Sequence, residues 1–125
     1  MHRDTSLVAV VDDEESVRKA LARLIRTAGY EVEAYGSGVE FMLSLQKHLP
    51  DCVVLDLRMP VVDGFEIQRA LRQSGARVPV VIITGDDSPE NHHRTSEYGA
   101  HAYLRKPVDD AMLLDAILGA VHSGA

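Results

Sequence analysis

The chain has 125 residues, 46% of them hydrophobic and 26% charged, with a net charge of −6, which fits one globular domain with a radius of gyration of about 14 Å. The acidic balance argues against a nucleic-acid partner, and no apolar run approaches the roughly 20 residues that cross a bilayer. The opening Met1-His2-Arg3-Asp4 is too polar for a signal peptide, so a cytoplasmic location is expected.

In chain order, the first apolar run, Leu7 to Val11, reads as a strand and ends in Asp12-Asp13-Glu14. A helix follows, with Val17, Ala20, Leu21, Leu24, Ile25 and Ala28 at helical spacing, Arg18, Lys19, Arg23 and Arg26 outward, and Gly29 as its stop. The second strand is Glu31 to Tyr35. Gly36-Ser37-Gly38 after it lacks the third glycine of a dinucleotide loop and reads as a turn into a helix over Val39 to Leu49. The third strand, Cys52 to Leu55, begins with the single cysteine, a buried and inert thiol with no disulfide partner. A third helix is expected over Phe65 to Ser74 and a fourth strand over Val78 to Ile83.

The fourth helix, Pro89 to Tyr98, has almost no apolar residue before Tyr98 and so little area to bury; it is expected to be short, mobile or partly irregular. Its His92 and His93 are adjacent, a poor spacing for one helix face, and with His101 they read as solvated surface. The fifth strand is Ala102 to Leu104. The fifth helix, Asp109 to Val121, carries apolar residues nearly all round, more than one core-facing stripe needs. The excess points to a homodimer or an output element on its outer face. Alternation of this kind implies right-handed crossovers and a parallel sheet covered on both faces, with no linker, repeat or low-complexity segment.

Asp12, Asp13 and Asp56 each follow a strand, and Lys106 lies just beyond the last. In open sheets of this kind ligands bind beyond the carboxyl ends of the strands. If the first and third strands are neighbours, about 4.8 Å apart, Asp13 and Asp56 can share one cation. Clustered acids are costly unless a cation neutralises them, so a metal ion, a phosphoryl group or both are expected there. Read alone, Asp12 and Asp13 with Glu15 can also cap the first helix.

Taken together, Val10-Val11-Asp12-Asp13-Glu14, Leu55-Asp56-Leu57-Arg58-Met59-Pro60, Asp63-Gly64, Ile83-Thr84-Gly85 and Lys106-Pro107 resemble the motifs of the receiver (phosphoacceptor) domains of bacterial two-component response regulators. The wording is FixJ-like and chemotaxis-receiver-like, and the resemblance spans nearly all of residues 1–125. It implies a single flavodoxin-like (βα)5 domain, a five-stranded parallel sheet of order 2-1-3-4-5. It implies that Asp56 takes a phosphoryl group from a sensor histidine kinase or phosphotransfer protein. Mg2+, for which Mn2+ can substitute, would be held by Asp12, Asp13, Asp56 and the backbone carbonyl of Arg58. Lys106 and Thr84 would hold the phosphoryl oxygens, and Pro107 would follow a cis bond. Thr84 and Tyr103 would form the switch that alters the face of the fourth helix, fifth strand and fifth helix.

The resemblance implies a signalling module rather than an enzyme, with hydrolysis of its own acyl phosphate as its only turnover. Arg58 and Asp86, two residues beyond Asp56 and Thr84, are expected to pair across the pocket and prolong the phosphoryl state. Alternative readings are a phosphorylation-independent docking module and an aspartyl-nucleophile phosphatase, although the Asp-x-Asp-x-Thr stretch of the latter is lacking. A flavodoxin-type phosphate loop is equally out of place where four acids stand. The chain stops after the fifth helix, which fits either a stand-alone regulator or a receiver cut from a longer protein.

Overall fold

A computed structural model describes residues 5–123; the polar opening residues and the chain end lie outside the described residues. Five strands, β1 (Leu7–Val11), β2 (Glu31–Tyr35), β3 (Cys52–Asp56), β4 (Val80–Thr84) and β5 (Ala102–Arg105), alternate with five helices. The helices are α1 (Glu15–Thr27), α2 (Gly38–Ser44), α3 (Gly64–Ser74), α4 (Pro89–Glu97) and α5 (Asp110–Ser123). All pairings are parallel and the sheet order is β2-β1-β3-β4-β5.

The sheet divides the core in two because successive side chains of a strand point to opposite faces. Ala9, Val11, Val53, Leu55 and Ile82 pack with Phe41, Ile67 and Leu71 on the α2 and α3 side. Val8, Val10, Cys52, Val54, Val81 and Ile83 pack with Leu21, Ile25, Leu113 and Ile117 on the α1 and α5 side. The inner strands are thus apolar throughout rather than alternating, as strands of a doubly covered parallel sheet are. Cys52 is fully buried, and burial, helped by the Asp51 charge, pushes its thiol up to about 12, an inert group.

Several boundaries differ from the periodicity. The second helix stops at Ser44, not Leu49: the chain tightens through Gln46 N–H to Leu43 and Lys47 N–H to Ser44, and Leu49 is left 52% exposed. The fourth strand starts at Val80 rather than Val78, since Pro79 has no N–H for the ladder and contributes only its carbonyl, to Val53 N at 3.0 Å.

The fourth helix is short but regular. Ser88 caps it by accepting from Asn91 N at 3.0 Å, and Pro89 opens it. Polar contacts replace the missing apolar face. Asn91 Nδ2 donates to the Asp86 carbonyl at 2.7 Å, Gln68 Nε2 to the Thr95 carbonyl at 3.1 Å, and the Arg94 guanidinium lies 3.7 Å from the Phe65 ring centroid.

Candidate functional site

Four strand ends assemble the site. β1 and β3 are neighbours, with Val11 opposite Leu55, so Asp12 and Asp56 emerge side by side. β4 lies on the other side of β3 and ends in Thr84, while β5 leads to Lys106. The Lys106-Pro107 peptide is cis, and Lys106 N–H bonds the Thr84 carbonyl at 2.8 Å. After β3 the chain turns into α3 through a capping box: Asp63 accepts from Glu66 N at 2.9 Å and Glu66 accepts from Asp63 N at 3.2 Å. Gly64 is needed there because a Cβ would stand 2.9 Å from both the Asp56 carbonyl oxygen and Leu57 Cα.

Asp12, Asp13 and Asp56 each offer an oxygen, all within 4.8 Å of one another. Asp12 is fully buried and Asp56 only 4% exposed, whereas Asp13 faces solvent. Burial, then the Asp12 charge, raises the Asp56 carboxyl to about 7; Lys106 and the Arg58 N–H oppose this, and Asp13 adds to it. The cation in this nest is Lys106. Its Nζ lies 2.9 Å from Asp12 Oδ2, 3.3 Å from Glu14 Oε1 and 3.5 Å from Asp56 Oδ1.

Asp12 Oδ2 has no partner with hydrogen-bond geometry; its 2.9 Å approach to the ammonium is an ion pair only. Burial would lower the Lys106 pKa, but the contact with Asp12, the Asp56 and Asp12 charges and the Glu14 bond outweigh it, and the pKa is raised. An under-coordinated buried oxygen beside two further carboxylates is a hard, oxygen-only donor set, which fits Mg2+ or Mn2+.

The capping reading of the acidic pair does not hold as expected. Glu14, not Asp12 or Asp13, occupies the cap position of α1 and makes no side-chain cap bond; Asp12 Oδ1 instead accepts from Glu14 N at 2.9 Å. Sequence reasoning missed two supports. Glu14 reaches Lys106, and Arg18 Nη1 donates to the Asp12 carbonyl at 2.8 Å, four residues beyond Glu14 on the first turns of α1.

The Thr84 side chain is buried, and its hydroxyl accepts from Asp86 N at 2.9 Å. Arg58 Nε donates to Asp86 Oδ2 at 2.9 Å, so these two residues pair across the mouth of the pocket. Tyr103 is half-buried. Its hydroxyl donates to Asp87 Oδ1 at 3.0 Å and its ring stacks on His92, centroids 4.5 Å apart. His93 pairs with Glu97 at 3.1 Å, and His101 lies over Gly119. A cleft of about 560 Å3 runs from Thr84 past Tyr103 to Pro107 and Met112. A larger one, about 720 Å3, lies among Val78, Tyr98 and His101, at the N-terminal ends of the strands, and so charge rather than cavity size marks this site.

A parallel sheet covered on both faces, with a buried acid at one strand end flanked by two more acids and a lysine, defines a phosphoacceptor signalling module, not a conventional enzyme. Residues 8–118 match the response regulator receiver domain, and the chain belongs to that family. It is 36% identical over 117 residues to Nodulation protein W of Bradyrhizobium diazoefficiens, covering 94% of this chain and 52% of that protein. Among solved structures, a response regulator receiver protein from Burkholderia phymatum is 39% identical with a TM-score of 0.84, covering 94% of this chain and 96% of that one. The chemotaxis protein CheY4 of Vibrio cholerae is 33% identical with a TM-score of 0.86, covering 94% and 99%.

The chain spans about half the length of the curated relatives it matches. It is thus the receiver domain of a two-component response regulator, whose acidic pocket of Asp12, Asp13 and Asp56 serves phosphorylation. A receiver implies a cognate histidine kinase. Among the described residues no helix is long and apolar enough to cross a membrane.

Proposed function

We propose that Asp56 is the phosphoacceptor and that residues 1–125 act as one receiver domain in the cytoplasm. The observation that carries this is the burial of Asp56 at the end of β3 among Asp12, Asp13 and Lys106. An Asp56 carboxylate oxygen attacks the phosphorus of a phosphohistidine on the sensor kinase or a phosphotransfer protein. The P–N bond breaks, and the imidazole leaves with the electron pair and takes up a proton. An acyl phosphate remains on Asp56.

Asp12, Asp13, Asp56 and the Arg58 carbonyl would hold Mg2+ or Mn2+, which when bound offsets the charge of carboxylate and phosphoryl group. Lys106, already 3.5 Å from Asp56, pairs with a phosphoryl oxygen, for which a compact ammonium is suited. Thr84 donates its hydroxyl proton to another, and the movement of its side chain toward that oxygen exchanges the bond it now accepts from Asp86 N. That exchange loosens the loop beneath Asp87, the acceptor of the Tyr103 hydroxyl. Tyr103 then turns inward, and the face of α4, β5 and α5 changes packing. Met112, 58% exposed, and Leu118, 48% exposed, give α5 an oily outer surface for a second copy or an output protein.

The experiment is intact mass after incubation with a small acyl-phosphate donor and Mg2+, beside Asp56→Asn and a chelated control. Gain of one phosphoryl group by the metal-supplied parent alone is the expected result. No gain by the folded parent would overturn the proposal and leave a phosphorylation-independent docking module.

A further inference from the structure

On the far side of α1 from the sheet's middle, the surface carries the opposite charge. Arg18, Lys19, Arg23 and Arg26 line a groove of about 480 Å3 together with Ala22, Thr27 and Ala34 of β2, and among the described residues no carboxylate lines it. In a chain of net charge −6, four cations along one trough make a local field opposed to that of the whole. Little within the described residues consumes them. Arg18 is committed to the Asp12 carbonyl, and Lys19 pairs with Glu15 at 3.2 Å across a solvated gap. Arg26 only just reaches the Val32 carbonyl, at 3.4 Å, and the Arg23 guanidinium makes no hydrogen bond or ion pair with a described residue.

The groove runs beside the open edge of the sheet, since β2 is an outer strand. Glu31 N–H bonds the Ser6 carbonyl at 3.0 Å, and the Tyr35 carbonyl accepts from Asp12 N at 3.2 Å, so these residues turn their main-chain groups inward, toward β1. By the two-residue alternation of a parallel strand, Val32 and Ala34 turn theirs outward. The reach of Arg26 to the Val32 carbonyl agrees with this. An outward row of main-chain donors and acceptors is a template for another strand.

We propose that the β2 edge and the α1 cations form one docking site for an extended acidic segment of a protein partner. The segment adds as a strand beside Val32 and Ala34 and turns every second side chain, a carboxylate, toward Lys19, Arg23 and Arg26. Its alternate side chains lie on the face shared with Glu31 and Glu33 and are neutral or basic. A nucleic acid fits less well: among the described residues no aromatic ring lines the groove for base stacking, and the acidic remainder of the chain repels a long polyanion.

The test titrates 15N-labelled protein with a blocked octapeptide of alternating Glu and Thr. The expected result is progressive amide shifts at Val32, Ala34 and α1. An Arg23→Glu/Arg26→Glu variant, altered only on the exposed face of α1, is expected to bind at least tenfold more weakly while still taking a phosphoryl group at Asp56. An octapeptide of four Glu followed by four Thr is expected to bind more weakly than the alternating one. The proposal is overturned by the absence of shifts at Val32 and Ala34 at millimolar peptide, or by equal binding to parent and variant or of the two peptides. Tighter binding of tripolyphosphate or oligothymidylate would overturn the polypeptide class. A dimer of the free protein that the double substitution dissolves would replace the partner with a second copy.

Discussion

Lys106 Nζ stands closer to Asp12 Oδ2, at 2.9 Å, than to Asp56 Oδ1, at 3.5 Å. The ammonium is therefore the counter-ion of a carboxylate cluster before it is a ligand of anything bound there. Removing it leaves two buried acids and Asp13 without a cation, a loss that partial protonation of Asp56 softens. Lys106→Met is expected to cost about 2 kcal/mol in chelated buffer, and clearly less in millimolar Mg2+, which replaces the missing charge. Urea unfolding in the two buffers measures this; equal losses in both would show that lysine and metal do not share the task.

Asp56 predicts a pH dependence. Its carboxyl titrates near 7 in the metal-free fold against an ordinary 3.8. Between those values the folded chain holds a proton that the unfolded chain has lost, so rising pH favours unfolding. The destabilisation is absent below about pH 4 and complete above about pH 7. Asp56→Asn removes the group that titrates, so its stability gain should be near zero at pH 4, grow to about 2 kcal/mol at pH 8, and shrink when Mg2+ saturates the parent. A gain independent of pH would mean that the charge of Asp56 is not the cause.

The Arg58–Asp86 pair spans the mouth of the pocket at 2.9 Å, with both side chains more than half exposed. Its worth to stability is small, about 0.5 kcal/mol or less. Its effect belongs to the access of water to the acyl phosphate. Arg58→Ala is expected to leave the unfolding midpoint nearly unchanged while shortening the phosphoryl half-life several-fold, followed by loss of radiolabel from purified phosphoprotein. A half-life no shorter than the parent's removes the screening role.

The strands and the four charged positions were legible because both rest on local signals: short, mostly apolar runs, and acids or a lysine at or just beyond their ends. The sheet order and the residue roles came from resemblance, since nothing in the runs says which strand lies beside which. Apart from the Arg58–Asp86 pair, which the resemblance brought into view, the tertiary polar contacts that support α4 and Lys106 were not legible. Asn91 and Thr95 look like solvent-facing residues in Pro89 to Tyr98, yet both are buried and bonded, Asn91 to the Asp86 carbonyl and Thr95 through its own carbonyl to Gln68. Of the helix expected to be short, mobile or partly irregular, the structure shows a short one of nine residues, kept regular by those contacts. The reach of Glu14 to Lys106, 92 residues away in sequence, left no local trace either.

The loop after Asp56 hides one more such feature. Val61 has φ 68°, and Val62 N–H bonds the Pro60 carbonyl at 2.8 Å around it, a three-residue turn with its centre in the left-handed region. A β-branched residue is strained there by about 1–3 kcal/mol, and at 85% exposure its side chain recovers almost nothing by burial. Glycine adopts this conformation freely but gives the unfolded chain more freedom, worth about 0.5–1 kcal/mol. Val61→Gly is therefore expected to stabilise the protein by about 1 kcal/mol, raising the thermal midpoint by about 4 °C. Val61→Ala, which keeps a Cβ but loses the branch, should fall between. Calorimetry of the three proteins gives the ranking; a glycine variant no more stable than the parent would show that the turn relaxes in solution and stores no strain beside Asp56.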